Sequence, residues 1–207
     1  MQILPSLASA DQMHLGEAIR ALKGCPCLHF DIEDGNFVPN ITFGMKTIRA
    51  AAKLWEGRMD AHLMVTNPAD YLDFLAEAGF CAAAFHWEST GYPLYLIHRI
   101  HQLGMKAGIA LNPRTSAREI LPYKNRIDYV LVMTSEPDGE GDLFQAEMLD
   151  KIKTLAECSG GRYQILADGG IGEKEFYAVK EAGASGVVMG RTVFQSEDPL
   201  SVIHKFK

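Results

Sequence analysis

Eight short apolar runs recur along the chain, separated by stretches with helical patterning. The runs are Gln2–Leu7, Leu28–Asp31, Asp60–Met64, Ala83–His86, Lys106–Leu111, Tyr129–Met133, Gln164–Ala167 and Gly186–Met189. Helical patterns lie between them, as at Met45–Trp55, Ala69–Ala78 and Phe144–Glu157. Asn67-Pro68 suits a helix entry, and Gly79 and Gly183 stand where helix C-caps are expected. Eight strands alternating with about eight helices is the count of a small α/β fold, the (β/α)8 TIM barrel. The expectation is one such domain over residues 1–207. A doubly wound open sheet would use fewer strands at this length, and no GxGxxG follows the first run. No linker, low-complexity segment or visible sequence repeat interrupts the pattern.

Charge and composition narrow the function classes. Twenty basic against 26 acidic side chains give a formal net charge of −6, which argues against a general nucleic-acid binder. No segment approaches the ~18 uninterrupted apolar residues of a membrane span. MQILPSLASA lacks a basic region followed by a long apolar core, so it reads as a first strand rather than a secretory signal. Cys25, Cys27, Cys81 and Cys158 match no CxxC zinc spacing, and Cys25-Pro26-Cys27, leading into an apolar run, reads as reduced packing material. The cytoplasm is the expected compartment.

Four polar residues stand near the ends of these runs. They are His29 and Asp31 in CLHFDIEDG, His62 in MDAHLMV, and Asp168 in YQILADGG. Residues two apart in a strand face the same side, so His29 and Asp31 point together. In a (β/α)8 barrel the active site lies at the C-terminal ends of the strands, where all four can converge. Two imidazoles and two carboxylates suit a divalent ion (Zn, Fe, Mn or Co), and the ion can polarise a carbonyl. The alternative is four satisfied polar residues at strand ends. Four at equivalent positions favour the metal site.

A phosphate signal comes from the last strands. Asp168-Gly169-Gly170 follows the seventh run, and Gly190-Arg191 follows the eighth. Loops after strands 7 and 8 form a recurring phosphate site in these barrels. Glycine admits close backbone approach, and Arg191 can add a charge-assisted contact. Tight turns alone would use the same glycines.

Over nearly its whole length the chain resembles the ribulose-phosphate 3-epimerase family, whose barrels are of the ribulose-phosphate-binding type. The matching stretches are Leu4-Pro5-Ser6-Leu7, the HxDxxDGxFVPN stretch from His29 to Asn40, His62-Leu63-Met64-Val65, Leu111-Asn112-Pro113, Met133-Thr134, Asp168-Gly169-Gly170 and Gly183-Ala184. The resemblance implies a metal-dependent ketose-phosphate 3-epimerase. It would interconvert D-ribulose 5-phosphate and D-xylulose 5-phosphate, or a related pentulose or hexulose phosphate, through a metal-stabilised enediolate. Asp31 and Asp168 would be the two proton carriers, one for each face of the inverted carbon. His29, Asp31, His62 and Asp168 would hold the metal. Ser6 would contact substrate, and Met64 and Met133 would shield the reacting carbons. The resemblance also implies a homo-dimer or hexamer.

Departures from the family fall around this core. A methionine of the family's second strand is Glu33 here, on the Asp31 side if the strand runs that far. The glycine-rich loop after the sixth run reads Glu136-Pro137-Asp138-Gly139-Glu140-Gly141, with Gly139 and Gly141 as candidate substrate contacts. Its acids oppose a phosphate electrostatically, while Arg191 offsets them. The pattern resembles a divergent branch related to the allulose-phosphate enzymes. His86 and Glu88 share a face and read as residues that support or shape the pocket, with a satisfied buried histidine as the alternative. His98 and His101 lie on a helical stretch and read as surface residues.

Two rivals remain at this level. One is a phosphate-binding lyase or decarboxylase of the DxKxxD type, which Asp60-Ala61-His62 begins to match, but His62 stands where its lysine is required. The other is a non-catalytic sugar-phosphate-binding homologue, which would need no paired proton carriers.

Overall fold

The computed structural model describes residues 1–137 and 143–206. Its strands are β1 (Gln2–Pro5), β2 (Cys27–Glu33), β3 (Arg58–Met64), β4 (Ala82–His86), β5 (Lys106–Leu111), β6 (Tyr129–Met133), β7 (Gln164–Asp168) and β8 (Gly186–Met189). They form one parallel sheet in the order β1-β8-β7-β6-β5-β4-β3-β2. A parallel bridge between Ser6 and His29 brings β1 back to β2. The sheet is therefore a nearly closed (β/α)8 barrel.

Alternation along each strand builds two apolar layers. Leu28, Phe30 and Ile32 of β2, Ala61 and Leu63 of β3, and Val130 and Val132 of β6 join the large core between strands and helices. The opposite faces turn into the barrel, where Leu4, Cys27, Ala82, Ala84, Ala110, Tyr129, Leu131, Leu166 and Val188 pack together. Tyr129 fills this space against β5, where a Cβ on Gly108 would lie 2.3 Å from its ring. Pleat and parallel pairing therefore set which polar residues line the interior. Asp31 pairs with His62 in register, Glu33 with Met64, and Met133 with Asp168.

The helices on the outside are α1 (Leu15–Ala21), α2 (Met45–Leu54), α3 (Ala69–Glu77), α4 (Pro93–Gln102), α5 (Met148–Ser159), α6 (Glu173–Glu181), α7 (Arg191–Phe194) and α8 (Pro199–Lys205). Gly79 and Gly183, with φ of 90° and 104°, end α3 and α6 as the sequence suggested. Other boundaries shift. The first strand stops at Pro5 rather than Leu7, which opens a short 3-10 turn. The helix expected from Phe144 starts at Met148, and Phe144 reaches the cavity instead. Between β5 and β6 the chain makes a 3-10 stretch, Ala117–Tyr123, with Pro122 inside it. Proline lacks the N–H that an α-helix would need there. Two helices follow β8. Among the described residues no helix is long and apolar enough to cross a membrane.

Candidate active site

Inward positions on β2 form a ladder of Cys27, His29, Asp31 and Glu33, all buried. On β3 the matching ladder is Asp60, His62 and Met64. Asp31 Oδ1 lies 2.9 Å from His62 Nδ1 and 3.2 Å from His29 Nε2. Asp168 Oδ2, from the end of β7, lies 3.2 Å from His62 Nδ1 and 4.0 Å from His29 Nε2. The Ser6 hydroxyl donates to Asp31 Oδ2. One ligand atom from each of His29, Asp31, His62 and Asp168 falls within 4.8 Å of all the others.

The electrostatics of this cluster favour positive charge at its centre. Burial pushes the Asp168 carboxyl up from the ordinary range, and the nearby Asp31 carboxylate pushes the same way. Burial acts on Asp31 too, but His29 and His62 overcome it and hold Asp31 well below that range. Burial depresses the His62 imidazole, yet Asp168 and Asp31 lift it to about 9. His29 is raised in the same way by Asp60 and Asp31 against its burial. Four converging donors, two imidazole nitrogens and two carboxyl oxygens, fit a divalent first-row ion.

Each imidazole is held from behind. His29 Nδ1 lies 2.9 Å from Asp60 Oδ1. His62 Nε2 lies 2.8 Å from His86 Nε2, with the two rings stacked at 4.9 Å. His86 Nδ1 reaches Glu88 Oε2 at 3.3 Å. Glu88 Oε1 accepts from the Asn112 amide at 3.1 Å and from the Thr115 hydroxyl. Burial depresses the His86 imidazole to about 4, so the ring is neutral near pH 7. If its Nδ1–H donates to Glu88, its Nε2 accepts the His62 Nε2–H. The His62 Nδ1–H then points at the two aspartates, 2.9 Å from Asp31 Oδ1 and 3.2 Å from Asp168 Oδ2. Carboxylates and carbonyls behind a ligating histidine fix its tautomer in this manner. Asp60 was visible in the sequence only as the start of a DxKxxD-like run. Its register partner, His29, is what reveals its role.

Above the cluster opens a cavity of about 760 Å³. Ser6, Met64 and Met133 line it near the cluster, and Gly169, Gly170, Gly190 and Arg191 line it toward β7 and β8. Gly139 and Gly141 lie outside the described residues. The three lining glycines are required by close packing. A Cβ would lie 2.2 Å from Ser135 Oγ at Gly169, 2.8 Å from the Phe144 nitrogen at Gly170, and 2.0 Å from Ser9 Oγ at Gly190. Gly169 and Gly170 also adopt φ of 114° and 65°.

β2 does extend through Glu33, whose carboxyl lines the cavity. Burial, then the Asp31 carboxylate, push it up to about 7. Asp34, in the same motif, ties loops together instead. Its Oδ1 accepts from the Asn36 and Phe37 amides, and its Oδ2 accepts from the Thr66 amide and hydroxyl. His98 and His101 are exposed on α4, and His101 pairs with Asp128 at 2.8 Å. Cys27, Cys81 and Cys158 carry free thiols.

A buried histidine–aspartate cluster under a glycine-rimmed cavity, at the C-terminal mouth of a (β/α)8 barrel, defines a class of acid–base barrel enzymes. Within that class the sequence is specific. Residues 2–194 match the model of the ribulose-phosphate 3 epimerase family. The chain is 39% identical over 210 residues to the ribulose-phosphate 3-epimerase of Schizosaccharomyces pombe, covering 98% of this chain and 90% of that protein. It is 39% identical over 208 residues to the cytoplasmic isoform from Oryza sativa subsp. japonica, covering 98% and 91%. The Bacillus subtilis ribulose-phosphate 3-epimerase is 33% identical over 213 residues, covering 100% and 98%. The chain belongs to the ribulose-phosphate 3-epimerase family, and so to the isomerases that act on carbohydrates.

More distant solved structures share the barrel. The orotidine 5'-phosphate decarboxylase of Pyrococcus horikoshii OT3 superposes with a TM-score of 0.70 at 13% identity, covering 99% of this chain and 97% of that one. The phosphoribosyl anthranilate isomerase of Thermus thermophilus gives 0.68 at 15%, covering 99% and 98%. At these identities the likeness is one of fold.

Proposed function

We propose that this protein is a metal-dependent ketose-phosphate 3-epimerase, interconverting D-ribulose 5-phosphate and D-xylulose 5-phosphate or a close pentulose or hexulose analogue. The observation that carries the reading is the placement of two carboxyls, Asp31 and Asp168, on β2 and β7 at the floor of one cavity. Inversion at a carbon needs a base on one face and an acid on the other. Asp31 is held ionised by His29 and His62, while Asp168 is pushed toward its protonated form. Opposed environments of this kind are how a carboxyl pair divides acid and base work. One aspartate takes the C3 proton, and the other delivers a proton to the opposite face. Their roles exchange with the direction of the reaction.

His29, Asp31, His62 and Asp168 would hold the metal. When bound, the ion would polarise the substrate carbonyl and offset the negative charge that develops on proton removal. Asp60 and the His86–Glu88 pair orient the two imidazoles. Ser6 holds Asp31 and contacts substrate, and Met64 and Met133 keep water from the reacting carbon. Gly169, Gly170, Gly190 and Arg191 receive the phosphate. A lyase of the DxKxxD type finds no support, because Asp60 is committed to His29 and His62 replaces the lysine. A cytoplasmic setting and a homo-oligomer accompany this reading. The former is the compartment named for the rice relative, and the latter is implied by the family resemblance.

The test is proton exchange followed by NMR. Metal-loaded protein is incubated in heavy water with ribulose 5-phosphate, xylulose 5-phosphate or allulose 6-phosphate. Deuterium at C3 together with the epimer is the expected result, and the substrate that reacts fastest names the sugar. Absence of exchange with all three, in protein shown to contain metal, overturns the reading in favour of a non-catalytic homologue.

A further inference from the structure

Glu33 is the one carboxyl in the upper wall of β2 that the cluster does not use. It is 8% exposed, lines the same cavity as Asp31 and Asp168, and pairs in register with Met64. It is not among the four residues whose donor atoms converge. Its Oε2 accepts from Asn40 Nδ2 at 2.6 Å. Among the described residues Oε1 has no hydrogen-bond partner. That oxygen is open to the cavity, where water or a bound hydroxyl supplies its donor.

The loop that follows β2 does not need this carboxyl. Asp34 accepts four hydrogen bonds that hold its turn and bind it to Thr66. The Thr42 hydroxyl donates to the Asp31 carbonyl at 2.6 Å and accepts from the Glu33 amide at 3.1 Å. Both anchors bypass the Glu33 side chain. Asn40, itself exposed, instead fixes one carboxyl oxygen and leaves the other presented to the cavity.

β2 is separated from β8 by one strand and from β7 by two. A ketose phosphate with its phosphate at Gly169, Gly170, Gly190 and Arg191 and its reacting carbons over Asp31 and Asp168 offers Glu33 only hydroxyls. We propose that Glu33 is a specificity-determining residue that accepts a hydrogen bond from a substrate hydroxyl on a carbon flanking the C2–C3 pair. The site thereby selects polyhydroxylated ketose phosphates over their deoxy counterparts. This inference rests on the epimerase reading above and names the substrate class of that site.

The test crosses an enzyme change with a substrate change. kcat/KM is measured for wild type, Glu33→Gln and Glu33→Leu with ribulose 5-phosphate and its 1-deoxy and 4-deoxy analogues. Metal content and thermal melting of each variant are recorded alongside. In the wild type, one analogue should lose about 10- to 100-fold, the range for a hydrogen bond to a charged group. In Glu33→Leu that discrimination should vanish, mainly through KM, while the other analogue is affected no more than the parent sugar. Glu33→Gln, which keeps the shape and one acceptor, should fall between them and carries the cycle if the leucine variant does not fold. Equal losses on all three sugars, or discrimination undiminished in both variants, overturn the inference while the epimerase reading stands. Failure of the wild type to act on any ketose phosphate overturns both.

Discussion

The β2–β3 wall and the β7–β8 rim face the same cavity, yet they are built by opposite means. On the wall, position is fixed by side chains that hold other side chains. His29 is held between Asp60 and Asp31, and His62 is held between the aspartates and His86. On the rim, position is fixed where side chains are missing. Gly169, Gly170 and Gly190 sit against Ser135, Phe144 and Ser9 with no room for a Cβ. The wall concentrates charge at depth, while the rim exposes backbone at the surface of the cavity. The proposed epimerisation, which moves protons on a sugar while its phosphate is gripped, needs both.

The contrast predicts that chemistry belongs to the floor that the wall supports. Asp31→Asn and Asp168→Asn preserve size and remove a proposed proton carrier. Each should lower kcat by about 1,000-fold or more, at the upper part of the range for general acid–base groups. The two should differ in stability. Asp31 accepts from Ser6 and contacts both imidazoles, so its replacement should lower the melting temperature and metal content more than that of Asp168. Progress curves by NMR and thermal melts of the two variants check both statements. Near-normal turnover in either variant would break the assignment of chemistry to this pair.

A smaller effect separates metal binding from phosphate binding. Asp60→Asn and Glu88→Gln touch no substrate, but each loosens an imidazole from behind. Each should weaken metal affinity by about 10- to 100-fold, measured by chelator competition. Arg191→Ala, on the rim, should leave metal affinity unchanged and raise KM for the sugar phosphate about 10-fold with kcat little altered. If Arg191→Ala weakened the metal or Glu88→Gln moved only KM, the division between wall and rim would fail.

How much of this could be read in advance differs between the two regions. The wall was legible because chemistry-bearing residue types fall at period 2 in short apolar runs. His29, Asp31, His62 and Asp168 need only the pleat and the barrel to meet. Asp60 was not legible, because its role depends on register with His29, and register is a property of paired strands. Glu33 was undecided until β2 was seen to extend through it. On the rim the glycines stood out, but sequence could not say whether they serve a turn or a ligand. The 3-10 stretch before β6 and the late start of α5 at Met148 depended on Pro122 and on Phe144 being drawn to the cavity.

Gly169 poses that last ambiguity in its sharpest form. Its φ is 114°, and a Cβ would lie 2.2 Å from Ser135 Oγ and 2.7 Å from the Ser135 nitrogen. Gly161 also has a positive φ, 76°, but a Cβ there meets nothing within 4 Å. Gly161→Ala therefore reports backbone conformation alone, at about 1 kcal/mol of stability. Gly169→Ala adds displacement of Ser135 and should cost about 2 kcal/mol, a contrast of about 1 kcal/mol between the two. The disturbance should also reach the floor. Thr134 donates its amide to the Asp168 carbonyl at 2.6 Å and its hydroxyl to the Gly169 carbonyl at 2.6 Å, so the turn and the aspartate move together. Denaturant melts measure the first effect, and kcat and KM measure the second. A fall in kcat beside the loss of stability means that this glycine keeps Asp168 in place. A rise in KM alone, with stability equal to that of Gly161→Ala, means that it serves the phosphate and that packing is secondary.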